Sequence, residues 1–403
     1  MANIVVIAHR VPYPPNKGEK LRTFHQLEHL QKKGHRLEVL VPCESSEDEF
    51  LAKQLAEHLN IKVSTFRLAP TIIRRLRALV SGRSISEVNF YSKDLAKALK
   101  EDVHNVDVVY CTASSLAPYV FSQQLDLSHR CLMDFMDVDS DKWAQFANSA
   151  SFPLRYIYRR ESKLVQKLER DVLQKFDASF VIAHEEKALM QRLFKHTDTL
   201  HVLANGIDKS LFFPPIEKPK QDDQRFHFFF AGVMDYKPNV DAVLWFTENC
   251  WPSIRQSIPN AHFTVAGMNP TSSIQQLSNQ EGIEVTGFVN DIKPFFDRAD
   301  VFVAPFLIAR GVQNKVLQAM ACAIPVLSTS RGLEGIAYED GTHAISANTK
   351  EDFIDKALTF AKNKELRERI GQAALALINQ TYTWESVLPP LYEQIAHEQK
   401  AKY

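Results

Sequence analysis

Short, nearly uninterrupted apolar runs alternate along the chain with longer segments whose apolar positions recur every three or four residues, and this plan occurs twice. In the first half the runs are "IVVIAH", "LEVLVP", "VDVVYCT", "CLMDFM" and "ASFVIA". In the second they are "FHFFFAG", "HFTVAG", "IEVTG", "VFVAPF" and "PVLST". Apolar strands separated by helices predict parallel sheets covered on both faces. The fold class is therefore α/β, with two doubly wound, Rossmann-like domains facing across a cleft, at residues 1–206 and 225–383. The stretch "NGIDKSLFFPPIEKPKQDDQR" between them, rich in proline and charge, predicts a linker over 207–224. The last segment, 384–403, is a helix pattern broken by Pro389 and Pro390, which either caps the second domain or crosses back to the first. Ligands of such sheets bind beyond the carboxyl ends of the strands, so the loops there carry the candidate chemistry.

A chain of 403 residues, 45% hydrophobic, is long enough for two cores. With 48 basic and 48 acidic residues and no basic stripe interleaved with aromatics, nothing favours nucleic acid. Cys43, Cys111, Cys131, Cys250 and Cys322 are odd in number and never paired as C-x-x-C, which predicts a reducing compartment without a disulfide framework or zinc site. The first residues enter a strand without a basic leader, and no apolar run is long enough for a bilayer. The expectation is a soluble cytoplasmic protein.

Several motifs are missing or misleading. No G-x-G-x-x-G follows the first strand and no G-x-x-x-x-G-K-[ST] occurs, so an NAD-type domain and a P-loop NTPase lose their main support. His25 and His29 stand one helical turn apart, but the glutamate of "HQLEH" is misplaced for H-E-x-x-H and no third ligand is evident. Asp137 and Asp139 form an Asp-x-Asp of the kind that chelates a metal with a nucleotide diphosphate in one class of sugar transferases. That class has a single nucleotide-binding domain, so a structural or acceptor-facing role fits Asp137 better and no metal is expected. "TIIRRLRALVSGR" places Ile72, Leu76 and Leu79 on one helix stripe with Arg74, Arg75 and Arg77 around it. Such a helix fits peripheral contact with the inner face of an anionic membrane, or docking on its own domain with the arginines in water.

"RGVQNKVLQAMACAIPVLST", residues 310–329, holds the most informative chemistry. A helix opening with Gly311 and carrying Arg310 and Lys315 at its mouth is suited to an anion, because its first amides lack partners and its dipole favours negative charge. Lys315 and Gln318 share one face of that helix.

Four stretches in order, "HRVPYPPNKGEKLRTFHQL", "DFMDVDSDKWAQFA", "GVMDYKPNVDAVLWF" and "RGVQNKVLQAMA", resemble the sugar transferases of exosortase and exopolysaccharide gene clusters. These are a branch of the retaining glycosyltransferases of family 4, to which "LANGIDKSLFFPP", "VTGFVNDIKPFFDRADVFVAPF" and "VLQAMACAIPVLST" are also similar. The resemblance runs nearly end to end. It implies the GT-B fold, with a nucleotide-sugar donor in the second domain, an acceptor mainly in the first, and no metal cofactor.

Carried over residue by residue, the resemblance departs from the family pattern in places. The family's two helix glutamates fall on Arg310 and Gln318. Gln318 retains an acceptor for a ribose hydroxyl, and Arg310 suits phosphate. The usual Arg and Lys after the first strand of the donor domain fall on Val233 and Pro238, with Lys237 one residue away. Arg310 and Lys315 then neutralise the departing diphosphate, while Gly311, Val312, Gln313 and Asn314 form the helix mouth. Asp235, Tyr236 and Asn239 belong to the "MDYKPN" loop facing the donor. Phe288 and Val289, after Gly287, match the loop that reads the base. Lys17, Gly18, Lys20 and Arg22 match the acceptor-side loop. Asp137, a candidate catalytic residue together with Arg310 and Lys315, falls where many relatives carry a His-Asp pair near the reaction centre, with Met136 in place of the histidine.

The implied reaction is front-face transfer of a sugar from a nucleotide-diphosphate sugar to a glycan or lipid-linked acceptor, which asks for positioning and diphosphate stabilisation rather than a strong base. The rivals are a nucleotide-sugar 2-epimerase on the same fold and a non-catalytic nucleotide-sugar-binding relative, the latter suggested by Gln318 and the missing Arg-Lys pair.

Overall fold

The computed structural model describes residues 1–15, 18–102, 105–125, 129–216, 225–308 and 311–396, with the side chains of Leu79, Asp102 and Ser149 left aside. Lys17 and Arg310 lie outside the described residues, as do parts of the predicted linker and C-terminal helix. The chain forms two compact units, Met1–Asn205 with Val387–Tyr403, and Gly206–Ser386.

The first unit is built on seven strands: β1 (Asn3–Ile7), β2 (Arg36–Cys43), β3 (Lys62–Arg67), β4 (Val108–Cys111), β5 (Arg130–Met136), β6 (Ala178–Val181) and β7 (Leu200–Val202). All pairings are parallel, in the order β3-β2-β1-β4-β5-β6-β7. The central strands are apolar because helices cover both faces; β4 and β6 are buried along their whole length. β3 and β7, absent from the apolar pattern, are the two edges. "KVSTFR" has only partly buried positions and so presents no apolar run.

The second unit has six parallel strands: β8 (Phe226–Ala231), β9 (Ala261–Ala266), β10 (Ile283–Gly287), β11 (Val301–Ala304), β12 (Val326–Ser328) and β13 (Ile345–Ser346), ordered β10-β9-β8-β11-β12-β13. Its core is aromatic. Phe228, Phe229, Phe230, Phe246, Phe263, Phe296 and Phe302 are fully buried, and edge-to-face pairs such as Phe246–Phe263, 4.8 Å between centroids, lock their orientation. Ile207, at the start of the expected linker, is buried in this core and bridges Thr383. The helix Pro389–Ala396 belongs to the first unit, where Arg130 bonds the Gln394 side chain at 2.7 Å and its backbone carbonyl. All five cysteines are buried and free.

In both sheets the strand order reverses beside the first strand, between β1 and β4 and between β8 and β11. The loops that leave the carboxyl ends there part in opposite directions and open a crevice.

Candidate functional site

In the first unit that crevice is a cavity of about 420 Å³. Its wall takes His9 from the end of β1, Gly18 and Glu19 from the next helix, Met136 and Asp137 from the end of β5, and Trp143 from the helix Asp139–Ser149. A buried hub beneath it sets the geometry. Asp134, on β5, accepts from Arg22 Nε at 2.6 Å and Nη2 at 3.0 Å, from Gln26 Nε2 at 2.8 Å and from Tyr110 Oη at 3.1 Å. A buried carboxylate needs such complete pairing, and the planar fork of arginine supplies it. Burial first, and then Asp134, pushes the Tyr110 phenol well above its usual range, so it remains a donor.

The hub reaches the cavity by two routes. Arg22 Nη1 donates to Asn205 Oδ1 at 3.0 Å, and Asn205 lines the cavity. Asp134 Oδ1 accepts the Met136 amide at 3.2 Å, while the Met136 carbonyl accepts from Ile182 at 2.8 Å. Met136 stands in the left-handed region at φ +61, beside a register shift between β5 and β6. A non-glycine residue there is held by its surroundings, and the kink turns Asp137 out of the strand. Arg22, expected on the acceptor-side loop, is therefore corrected: it lies fully buried with Asp134 and serves the cavity through Asn205. Gly18 is exposed at the cavity, and Lys20 donates to the Tyr13 carbonyl at 3.3 Å.

Asp137 and Asp139 share a lysine. Lys142 Nζ lies 2.6 Å from Asp137 and 3.6 Å from Asp139. Burial opposes the charge on Lys142, but Asp137 holds its pKa above the ordinary value. Burial raises Asp139. The helix Asp139–Ser149 starts without a side-chain cap of its own. Two carboxylates from other helices serve instead, Glu186 accepting the Val138 amide at 2.9 Å and Glu169 the Ser140 amide at 3.0 Å. Burial pushes Glu169 up to about 7 and also raises Glu186. His9 meets the Phe90 ring at a tilt of 47°, 3.8 Å between centroids, and lies 3.5 Å from Glu19, whose carboxylate is held low by that contact. Sequence reasoning missed His9, Glu19, Lys142, Trp143 and Asn205. The available signal was position: His9 and Asn205 follow the carboxyl ends of β1 and β7, Glu19 opens the helix after β1, and Lys142 and Trp143 lie in the helix after β5.

His25 and His29 do have a third donor. Glu28 Oε2 is 3.2 Å from His25 Nδ1, and the three ligand atoms fall within 4.8 Å of one another. Lys32 sits on the other oxygen of Glu28 at 2.8 Å, so this carboxylate already has a cation.

In the second unit the crevice is the mouth of the helix Asn314–Ala321, reached from β11 through Gly311 at φ +62. Gln313 Nε2 closes that turn on the Gly311 carbonyl at 3.1 Å. Lys315 Nζ donates to Asn239 Oδ1 at 2.7 Å and lies over the rings of Phe306 and Phe230, at 4.9 and 5.7 Å. Burial pushes its pKa down to about 8, and among the described residues no carboxylate pairs with it. A desolvated cation held by one neutral amide and two ring faces is short of an anion. Asn239 is buried against Gly232, where a Cβ would come within 2.7 Å of its Nδ2, and donates to the Val233 carbonyl at 2.8 Å. Expected to face the donor, it holds Lys315 instead. Lys237, one residue from the family's lysine position, pairs with Asp241 at 2.8 Å, one turn along its own helix. Asp235 accepts from Asn269 at 3.1 Å. Tyr236 and Phe288 are exposed, Val289 and Gln318 are half-buried, Val312 packs on the core and Asn314 is open to solvent.

Residues 225–363, about three quarters of the second unit, match the family model described as glycosyl transferases group 1. The chain is 22% identical to an uncharacterized 44.6 kDa protein in the cps region of Klebsiella pneumoniae, over 98% of this chain and all of that one. Among solved structures it superposes on Anabaena HepE in complex with UDP and glucose (TM-score 0.66, 13% identity, 98% of this chain and 100% of that one). It also superposes on a glycosyltransferase from Rickettsia africae (TM-score 0.68, 14% identity, 98% and 97%) and on WaaG, a glycosyltransferase involved in lipopolysaccharide biosynthesis (TM-score 0.62, 13% identity, 97% and 98%). The fold is GT-B. With the group 1 match confined to its second unit, the protein is a glycosyltransferase.

Proposed function

We propose that the protein is a retaining glycosyltransferase that takes a sugar from a nucleotide-diphosphate donor and passes it to a glycan or lipid-linked acceptor in exopolysaccharide or cell-surface glycan synthesis. The observation that carries the donor assignment is Lys315, a desolvated ammonium that has no acidic partner among the described residues, at the mouth of an eight-residue helix. A diphosphate supplies the missing negative charge to both the lysine and the helix amides. Arg310, from its place in the sequence, is the second phosphate ligand, and Gln318 takes the ribose. The acceptor is held in the cavity of the first unit, where Asp137 and Asn205 meet sugar hydroxyls, and Trp143 offers an apolar face to a sugar ring. The departing phosphate takes the acceptor proton, so Asp137, already paired with Lys142, orients rather than abstracts. UDP complexes of HepE and the cps-region relative support a UDP-sugar as the first donor to test.

Thermal-shift titrations with UDP, GDP, ADP and dTDP provide the test. One nucleotide, UDP by expectation, raises the melting temperature of the wild type, and Lys315→Ala loses about 2–5 kcal/mol of its binding. No response to any of them at millimolar concentration overturns the donor assignment. Turnover of a UDP-sugar without acceptor would indicate an epimerase instead.

A further inference from the structure

We propose that two acid-free segments of the first unit, Thr71–Val80 with its following turn and the stretch around Phe152–Tyr156, form one surface that docks on an anionic lipid bilayer. This rests on, and sharpens, the lipid-linked half of the acceptor reading.

Three apolar side chains of the helix Thr71–Val80 stand away from its own unit. Ile72 is 74% exposed, Leu76 60% and Val80 86%. Arg74 is the residue turned inward, bonded to the Asn89 carbonyl, to Glu44 and to Thr71 Oγ1, and nearly fully buried. This inverts the alternative in which the helix docks through its apolar face with its arginines in water. The arginine is the anchor, and the apolar face is left outward.

A second exposed group lies where the helix Leu154–Lys175 begins, with Phe152 at 81% and Tyr156 at 63% exposure. The segments are tied together: Arg160 Nη2 donates to the carbonyls of Ala78 and Arg83, both at 3.1 Å.

Charge identifies the occupant. Residues 58–86 and 142–160 contain no Asp or Glu, yet Arg75, Arg77, Arg83, Arg155 and Arg159 are all exposed there. The carboxylates that approach from neighbouring elements are spent on internal bonds. Glu44 pairs with Arg74, Glu87 closes the Ser84 cap, and buried Glu161 accepts the amides of Ile85 and Ser86. Exposed aliphatic and aromatic side chains ringed by arginines that have no carboxylate partner among the described residues match the acyl boundary and the anionic headgroups of a membrane face. A protein partner with an apolar groove would match the apolar part alone. Ser86 borders one segment and Trp143 lies at the start of the other acid-free stretch, and both line the cavity. An acceptor on a lipid carrier would enter the cavity from this side.

Flotation of the full chain with vesicles decides the matter. The protein is expected to float with vesicles of equal parts phosphatidylglycerol and phosphatidylcholine, to remain behind with phosphatidylcholine alone, and to release as salt is raised. Arg75→Gln with Arg77→Gln should weaken partitioning on the order of tenfold or more, since each surface arginine contributes about fivefold. Ile72→Ser with Leu76→Ser should weaken it similarly. These positions are exposed and leave the nucleotide thermal shift unchanged, so loss of vesicle binding and loss of donor binding are read separately. Equal flotation with neutral vesicles, or variants that float like the wild type, overturns the proposal. Failure to float, with a concentration-dependent dimer that Leu76→Glu dissolves, assigns the face to a second copy of the chain instead.

Discussion

The charge of Lys315 is expensive where it stands, because burial disfavours it. With its pKa near 8, the empty site carries less than a full positive charge in mildly alkaline solution. Binding of a diphosphate restores that charge, so the protein should take up a proton when UDP binds at about pH 9. Calorimetry in two buffers of different ionisation enthalpy reads this directly, and Lys315→Met should abolish the uptake. Asn239 acts through Lys315. Asn239→Leu should weaken UDP while leaving the aromatic core intact. In the first unit the corresponding position belongs to Asp134. Asp134→Asn strands the Arg22 guanidinium in the interior, and we expect urea denaturation to show a loss of about 3–5 kcal/mol. The double replacement Arg22→Met, Asp134→Leu should recover part of that stability. It should not recover activity, because Asn205 and Met136 lose the bonds that orient them at the cavity. Recovery of both would reduce the hub to a structural pair.

At the scale of elements, the helix Asp139–Ser149 shows how one segment depends on its neighbours. It brings Lys142 and Trp143 to the cavity, and its amino end is capped from outside by Glu169 and Glu186. The folded protein holds the Glu169 proton more tightly than the unfolded chain, whose carboxyl has the ordinary value of 4.5. Its contribution to stability is therefore full below about pH 4.5 and is lost as pH rises through about 7. Glu169→Gln should flatten the melting temperature across that window, and an unchanged slope would place the proton elsewhere. The helix Thr71–Val80 was legible as amphipathic, but its orientation was not. Periodicity says which residues share a stripe, while partners elsewhere in the chain, Glu44 and the Asn89 carbonyl, hold Arg74 inward. β3 and β7 escaped the hydrophobic pattern for a related reason, since an edge strand needs hydrogen bonds from one neighbour and little apolar cover.

Across the whole molecule, ten apolar runs sufficed to announce two parallel sheets, because a strand covered by helices on both faces must be apolar throughout. The same pattern located the loops at the carboxyl ends, and with them Asp137, Gly311, Lys315 and Gln318. Nothing in the pattern distinguished a charge that ends in solvent from one that ends in the core. Arg22 and Lys237 read alike as basic residues near a loop. One became the partner of a buried carboxylate, and the other an exposed ion pair along its own helix. Asn239 likewise reads as a polar loop residue until Gly232 and Lys315 close around it. Local sequence determined the elements, their order and the loops that carry chemistry, because strand burial and helix periodicity are written into consecutive residues. Tertiary structure alone decided which polar groups meet and whether a carboxylate or a neutral amide stands opposite a buried cation, because those partners, Arg22 with Asp134 and Lys315 with Asn239, come from strands and helices far apart in the chain.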